Sequence, residues 1–173
     1  MASRGSSKVT QTRNPEKIIS AIAMPRKNSY ILDNVALSLL KAIEGHDLHF
    51  EEGTITENPI SLDKRVNRLY YSNTAVLSGD KDGLLNFYNP AASRIFGYSV
   101  REAIGMDPEK LVPRSLRNKR SALLTKVLEK KVIIEFSTKR LKKSGEKISV
   151  YALIFPYELE DETLSIGAFV RKL

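Results

Sequence analysis

The chain has two histidines, His46 and His49, which lie three positions apart in the segment GHDLHFEE. Two imidazoles at this spacing, with carboxylates nearby, can bind a transition metal when both lie on one helix face. Gly45 precedes them and is placed to end the helix before it reaches either imidazole. We therefore expect no metal site in this segment.

The chain contains no cysteine, and this excludes several kinds of chemistry. There can be no disulfide, no thiolate metal ligand, no cysteine nucleophile and no thiol-linked chromophore. The sequence also has no Gly-rich phosphate loop, zinc signature or nucleophile elbow. These features favour a protein that is not an enzyme.

Basic residues outnumber acidic ones by 28 to 20, which gives a net charge of +8. They form two clusters, Arg114, Arg117, Lys119 and Arg120 in the first, and Lys139, Arg140, Lys142, Lys143 and Lys147 in the second. Such clusters can contact phosphates weakly and in a salt-dependent way, but no aromatic residues are interleaved to stack on bases. Solvated faces are the favoured interpretation, and a nucleic-acid-associated regulatory protein is the alternative.

No apolar run approaches the roughly 18 to 20 residues that a membrane span needs, so a cytoplasmic protein is expected. Within residues 1–27, basic residues outnumber acidic ones by six to one. We interpret this segment as a disordered basic tail, with an organelle transit peptide as the alternative. Residues 14–23 could form two helical turns inside it.

A helical pattern begins at Asn28. Apolar residues then recur at helical spacing, and they are Leu32, Val35, Ala36, Leu39 and Ile43. Burying each of them is worth about 1.5–3 kcal/mol, so the helix must dock on the domain or on a partner. We expect residues 28–68 to contain this helix and a connector from about residue 51.

The most informative stretch is residues 82–98, DGLLNFYNPAASRIFGY. Gly83 follows Asp82 between two short apolar runs, which predicts a hairpin-like connection between strands. Asn89 can cap a short helix that begins at Pro90, and Gly97 can end that helix in a left-handed conformation. These four residues, Gly83, Asn89, Pro90 and Gly97, are expected to be structural.

The remainder of the chain predicts a second short helix after Ser99, a small turn near residues 107–111 and a long helix over about 114–130. Its apolar face carries Leu116, Leu123, Leu124, Val127 and Leu128, whereas Arg117, Lys119, Arg120 and Lys126 are expected largely on the other face. Three strands follow, over residues 132–141, 147–157 and 164–170.

Residues 69–173 resemble a PAS domain in this order of elements and in several short matches. The matches are Gly83, Asn89-Pro90-Ala91-Ala92, Phe96-Gly97-Tyr98, Ile104-Gly105, Lys143-Ser144-Gly145 and Gly167. The segments LYYSNTAVLSG and NFYNPAA and residues 117–124 are similar to the MEKHLA branch. The resemblance implies an α+β fold, with a five-stranded antiparallel sheet, short helices and one long helix on one face, and a small-molecule pocket between them. It also implies a role in sensing or partner binding.

The chain departs from several known PAS subtypes. Flavin photosensors and xanthopsin-like members depend on a cysteine, which this chain lacks. Haem-binding members commonly use a histidine on the long helix, and here that helix has none, so haem is not expected. The cofactor is therefore unknown, and a noncovalent ligand or no ligand remains.

The strand over residues 147–157 is apolar on both faces. Ile148, Val150, Ala152 and Ile154 alternate with Tyr151, Leu153 and Phe155. Because a face exposed to water should be polar, we predict that the first set faces the long helix. We predict that the N-terminal helix covers the second set, from the same chain or from a dimer partner.

Two sets of candidate residues follow from this arrangement. The ligand-pocket candidates are Val76, Phe87, Leu124, Leu128, Phe136, Val150, Ala152 and Ile154, and plain core packing is the competing interpretation for each. The interface candidates are Leu32, Val35, Leu39, Ile43, Tyr151, Leu153 and Phe155. The expected partner is a second copy or a separate signalling protein, and a small-molecule ligand is compatible with the fold.

Overall fold

The computed structural model describes residues 26–46, 60–61 and 63–173. The predicted basic tail and its helical turns fall on residues 1–27 and so lie almost wholly outside the described residues, as does His49. The helices are α1 (Arg26–Ile43), α2 (Lys64–Tyr70), α3 (Pro90–Phe96), α4 (Val100–Ala103) and α5 (Arg117–Lys130). The strands are β1 (Ala75–Gly79), β2 (Leu85–Tyr88), β3 (Ile134–Leu141), β4 (Lys147–Glu158) and β5 (Leu164–Lys172). Short 3-10 turns at Pro108–Leu111 and Arg114–Leu116 lead into α5.

The five strands form one antiparallel sheet in the order β2-β1-β5-β4-β3. The longest strand, β4, pairs with β3 on one side and with β5 on the other, and β1 joins β5 to β2. The fold class and the order of elements predicted from residue 75 onward are confirmed.

Two boundaries differ from the prediction at the N-terminal end. Helix α1 begins at Arg26, before the capping positions assigned to Asn28 or Ser29. Helix α2 lies where a connector was expected, and the Asp63 carboxylate caps it by accepting from the backbone N–H of Arg65 at 2.8 Å. At seven residues, α2 is too short to show an apolar period in the sequence.

Short helices cover one face of the sheet, which we call the inner face. Its buried core joins α3, α4 and the following turns to alternate strand residues, including Leu77, Tyr88, Val150 and Ala152. The α3 helix fits here because Ala91 and Ala92 bring its backbone close to β1, where both are fully buried. Helix α5 lies on the same side.

The opposite face of the sheet, the outer face, is covered by α1 and α2. Val35, Ala36, Leu39 and Ile43 of α1 share one buried cluster with strand residues that include Val76, Phe87, Leu153, Phe155 and Phe169. The prediction that the sheet has two apolar faces, with the N-terminal helix on the second, is therefore confirmed. The helix belongs to the same chain.

The two edges of the sheet differ. The edge strand β2 is hydrogen-bonded beyond the sheet, because Gly105 N–H donates to the Leu85 carbonyl at 2.7 Å and Leu85 N–H donates to the Met106 carbonyl at 2.9 Å. The other edge strand, β3, has no strand neighbour on its outer side within the described part of the chain.

Gly167 allows α1 to approach the sheet closely. It pairs with Phe155 across β4 and β5, and a Cβ at this position would lie 2.6 Å from the Phe155 ring and 2.9 Å from Leu39 Cδ2. The Phe155 ring is fully buried and cannot move aside without disturbing α1. The missing side chain therefore makes room for the ring between the sheet and the helix.

We expect Gly167→Ala to lower the free energy of unfolding by about 1–3 kcal/mol, because overpacking forces buried groups to shift. Urea unfolding followed by circular dichroism measures the change. Gly79→Ala is a matched control, since the nearest atom to its added Cβ is 3.5 Å away. Equal losses in the two variants would contradict the close packing.

Candidate functional site

Helix α5 covers the inner face incompletely. Val127 is its one buried residue, whereas Leu123, Leu124 and Leu128 are half-buried, as is Leu116 just before the helix. Leucines packed directly on a sheet would lose nearly all of their contact with water. A cleft therefore lies between α5 and the strands.

Two cavities form this cleft. The larger, of about 220 Å³, lies against β1 and β5 and is lined by Leu77, Arg120, Leu124, Leu128, Ile166 and Ala168 among others. The smaller, of about 120 Å³, lies against β3 and is lined by Leu116, Arg120, Leu123, Phe136, Thr138 and Arg140 among others. Arg120 lines both, and together the cavities reach the lower end of the roughly 300–1,000 Å³ that is usual for ligand pockets.

Three of the predicted pocket residues line the cleft. Leu124 and Leu128 line the larger cavity and Phe136 the smaller one. Val150, Ala152 and Ile154 project from β4 toward the same face, but they are buried and line neither cavity.

The assignment of Val76 and Phe87 to the pocket is wrong. Both are fully buried on the outer face, in the cluster formed with α1. Their neighbours Ala75, Leu77 and Tyr88 occupy the inner face instead. Because β1 and β2 are apolar on both faces, their alternation does not show which set of side chains turns toward the long helix.

The assignment of Arg120 to the solvent face of the long helix is also wrong. Leu116, Arg120 and Leu124 recur at intervals of four, so the arginine lies in the apolar stripe that faces the sheet. Arg140 reaches the same cleft from β3, where it lies on the same strand face as Phe136 and Thr138. The sequence carried this signal in the spacing, but the charge concealed it.

Burial changes the electrostatics of both guanidinium groups. Burial lowers the pKa of Arg120, although Glu109 and Asp107 oppose the change. Burial, with the nearby charge of Arg120, lowers the pKa of Arg140 to about 10. Both groups stay protonated at neutral pH, so they bring two positive charges to a cleft that Lys119, Lys81 and Asp80 also line.

These two charges have few partners. Arg140 Nη1 donates to Thr138 Oγ1 at 3.2 Å and to the Lys139 carbonyl at 3.0 Å. Its guanidinium carbon lies 6.0 Å from the centroid of the Phe136 ring. Neither Arg120 nor Arg140 forms an ion pair with any carboxylate of the described residues. Glu109, one of the two carboxylates that act on Arg120, instead lies 3.8 Å from the Arg117 guanidinium.

Asn89 joins three parts of the fold. Its side-chain oxygen accepts from Val76 N–H at 2.9 Å and from Ala92 N–H at 3.0 Å, and its amide donates to the Thr74 carbonyl at 2.9 Å. Pro90 follows in the first turn of α3, and Gly97 ends that helix with a φ of +82°. Gly83 has a φ of +79° between β1 and β2, so the positions of all four match the predicted structural motif.

Six of the seven interface candidates lie in or against the outer-face cluster. These are Leu32, Val35, Leu39, Ile43, Leu153 and Phe155. Tyr151 does not belong to it, and the prediction that a helix covers this residue is wrong. It is half-exposed, its hydroxyl donates to Glu135, and the Arg171 guanidinium lies 5.2 Å from its ring centroid. Alternation predicts which face a residue occupies, but not how far the covering helix extends.

Among the described residues, no three or more His, Asp or Glu side chains lie close enough to hold a metal ion, and His46 is exposed. Within the part of the chain that the structure describes, every helix is too short or too polar to cross a membrane.

The structure is similar to several solved structures. The structure is similar to the PAS domain of a protein from Colwellia psychrerythraea, with a TM-score of 0.59, 18% identity, and coverage of 63% of this chain and 93% of that one. It is similar to an RNA-binding light-oxygen-voltage receptor, with a TM-score of 0.51, 17% identity, and coverage of 60% of this chain and 30% of that one. A PAS domain from a two-component sensor histidine kinase gives a TM-score of 0.50 at 18% identity, over 61% of this chain and 89% of the other.

The sheet order, the helices and these likenesses define a PAS fold. The sequence profile of the MEKHLA domain matches residues 43–164, which is more than half of the chain, and the chain belongs to the MEKHLA domain family. No curated protein is significantly similar in sequence.

Proposed function

We propose that the chain is a noncatalytic sensory module that binds a small ligand noncovalently in the cleft beneath α5 and signals through α1. The observation that carries the proposal is the pair of cavities between α5 and the sheet, on a domain whose other face holds a separate helix. Membership of the MEKHLA domain family and the PAS fold support a sensing role.

Strand β5 offers a physical route between the cleft and α1. Ile166 and Ala168 line the larger cavity, whereas Gly167 and Phe169 alternate with them on the outer face. The Phe169 ring contacts the Phe155 ring with centroids 5.3 Å apart, and both pack in the cluster that holds α1. A ligand that shifts β5 from the cleft side therefore changes the surface on which α1 is seated.

Signalling then depends on the position of α1. A ligand that binds more tightly when α1 is loosened would increase the population of that state in proportion to its difference in affinity. Release of α1 would expose the apolar outer face, which could bind a second copy of the chain or a separate signalling protein. The output is therefore association rather than catalysis.

Native mass spectrometry of the purified protein tests the ligand site. We expect a mass above that of the polypeptide, and we expect Ala168→Leu to remove it because the larger side chain fills the cavity. Ala122→Leu, at an exposed position of α5, is the matched control and should keep the extra mass. A bare polypeptide mass in all three proteins would contradict the proposal.

The alternative function, contact with nucleic acid through the basic clusters, has weaker structural support. Lys142 pairs with Glu146, and Lys143 pairs with Glu102 on α4. Arg120 and Arg140 turn into the cleft. Fewer of the clustered charges are therefore available to a phosphate backbone than the sequence suggests.

A further inference from the structure

We propose that the cleft beneath α5 takes an amphipathic anion, with its carboxylate or phosphate head bound by Arg120 and Arg140 and its apolar body against Leu124, Leu128 and Ala168. This inference rests on the proposed function, because it names the chemical class of the ligand for the same cleft. Three observations support it, namely the positions of the two arginines, the absence of an ion pair to either within the described residues, and the lining of the cavities.

Arg120 and Arg140 approach the cleft from two different elements. Arg120 comes from the helix that roofs the cleft, and Arg140 comes from the edge strand beneath its N-terminal half. Both side chains line the smaller cavity, and Arg120 also lines the larger one. The consecutive elements α5 and β3 therefore bring two guanidinium groups to one half-buried space.

Burying the two arginine charges without ion-pair partners costs free energy. Charged groups removed from water are normally paired, because an unpaired charge loses its hydration without compensation. Arg120 and Arg140 are each half-buried and repel each other. Neither forms an ion pair within the described residues, and Glu109 and Asp107 act on Arg120 only from beyond ion-pair distance. An arrangement that costs stability in the free protein is expected where the same groups bind a ligand.

The guanidinium groups and the cavity lining indicate the chemical class of the ligand. Planar guanidinium groups match the geometry of carboxylate and phosphate oxygens and can donate two parallel hydrogen bonds to each. The Thr138 hydroxyl lies beside Arg140 and adds a polar group at the same end of the cleft. The larger cavity continues from Arg120 along Leu124, Leu128 and Ala168, and its lining also includes Asp80 and Lys81. Because most of this lining is apolar, the ligand combines an anionic head with an apolar body.

The experiment compares three probes of equal chain length, octanoate, octyl phosphate and octanol, by isothermal titration calorimetry on the full chain. We expect either or both anions to bind at least about tenfold more tightly than octanol. Arg120→Gln and Arg140→Gln should each weaken the anions about 5- to 30-fold and leave octanol unchanged, in line with the loss of a charge-assisted hydrogen bond. Lys126→Gln, which removes an exposed charge from α5, is the matched control and should change nothing.

Thermal unfolding without ligand gives a second measurement. Arg120→Met should raise the Tm by roughly 2–4 °C, because it removes a desolvated charge that repels Arg140 and keeps the apolar stem. A drop in Tm would indicate that Arg120 serves the fold, and it would overturn the inference.

The outcomes separate this inference from the proposed function. Equal binding of octanol and the two anions, unchanged by the arginine substitutions, would overturn the anionic class and leave a ligand cleft in place. An equal loss of anion binding in Lys126→Gln would reduce the effect to general surface charge, and it would also overturn the inference. A bare polypeptide mass in native spectrometry, with no probe bound, would contradict both.

Discussion

Replacing Leu39 with aspartate is expected to detach α1 from the sheet. Leu39 is 0% exposed at the centre of the outer-face cluster, and its Cδ2 atom lies beside Gly167 and the Phe155 ring. The substitution removes a buried apolar side chain and leaves a carboxylate without a partner, which should cost at least about 4 kcal/mol. Because α1 docks through only one face, it should leave the sheet before the domain unfolds.

Hydrogen exchange measures this release directly. We expect the α1 amides to lose their protection in Leu39→Asp while the β4 and β5 amides keep most of theirs. Size-exclusion chromatography should show association, since the exposed outer face is apolar. Lys41→Gln changes the charge by the same single unit at an exposed position of α1 and is the control. Unchanged protection of α1 in Leu39→Asp would mean that the helix is not held by this cluster.

Replacing Asn89 with alanine is expected to have the second largest effect. The side chain is 0% exposed and satisfies the N–H groups of Val76 and Ala92 and the carbonyl of Thr74. Alanine leaves the buried N–H groups of Val76 and Ala92 without that partner, and the bond to Ala92 is the cap of α3, whereas the Thr74 carbonyl still accepts from the Ser72 hydroxyl. The free energy of unfolding should fall by about 3 kcal/mol or more, since each unpaired group costs about 1–3 kcal/mol.

Ser99→Ala is the matched comparison for this experiment. Ser99 caps α4 in a capping box with Glu102, but the site is exposed and water can replace the lost bonds. We expect a loss of only about 1 kcal/mol there in urea unfolding. If Asn89→Ala cost no more than Ser99→Ala, the role of Asn89 as a junction between β1 and α3 would be wrong.

The architecture could be predicted from sequence because its signals are local. Asn89-Pro90 stops a strand and starts a helix, and the alternation in β4 showed two apolar faces that both needed cover. From this pattern the helix containing Leu39 could be assigned to the outer face without any coordinates. The fold positions of Gly83 and Gly97 followed from turn chemistry in the same way.

The candidate site was harder to predict, because it depends on which of two equivalent faces a strand turns inward. Val76 and Phe87 lie on short strands that are apolar throughout, so the choice between faces is made by the register with β5 rather than by the residues themselves. Arginine side chains are usually exposed, and residue type alone therefore predicts a solvent position for Arg120. Its spacing of four residues from both Leu116 and Leu124, however, predicts that it faces the sheet. Helical position should outweigh residue type when one charge interrupts an apolar stripe.

The unequal edges of the sheet set a limit on how copies of this chain can join. The β2 edge is already hydrogen-bonded to Gly105 and Met106 of its own chain. In the described part, β3 is therefore the one edge strand that is open to pairing with a strand of another copy. If two copies paired through their β3 strands, the unpaired backbone N–H and C=O groups of both edges would be hydrogen-bonded. A third copy would then have no open edge strand to pair with. Association through β3 therefore ends at a dimer. The charges of Glu135 and Lys139 on β3 should make that dimer sensitive to salt.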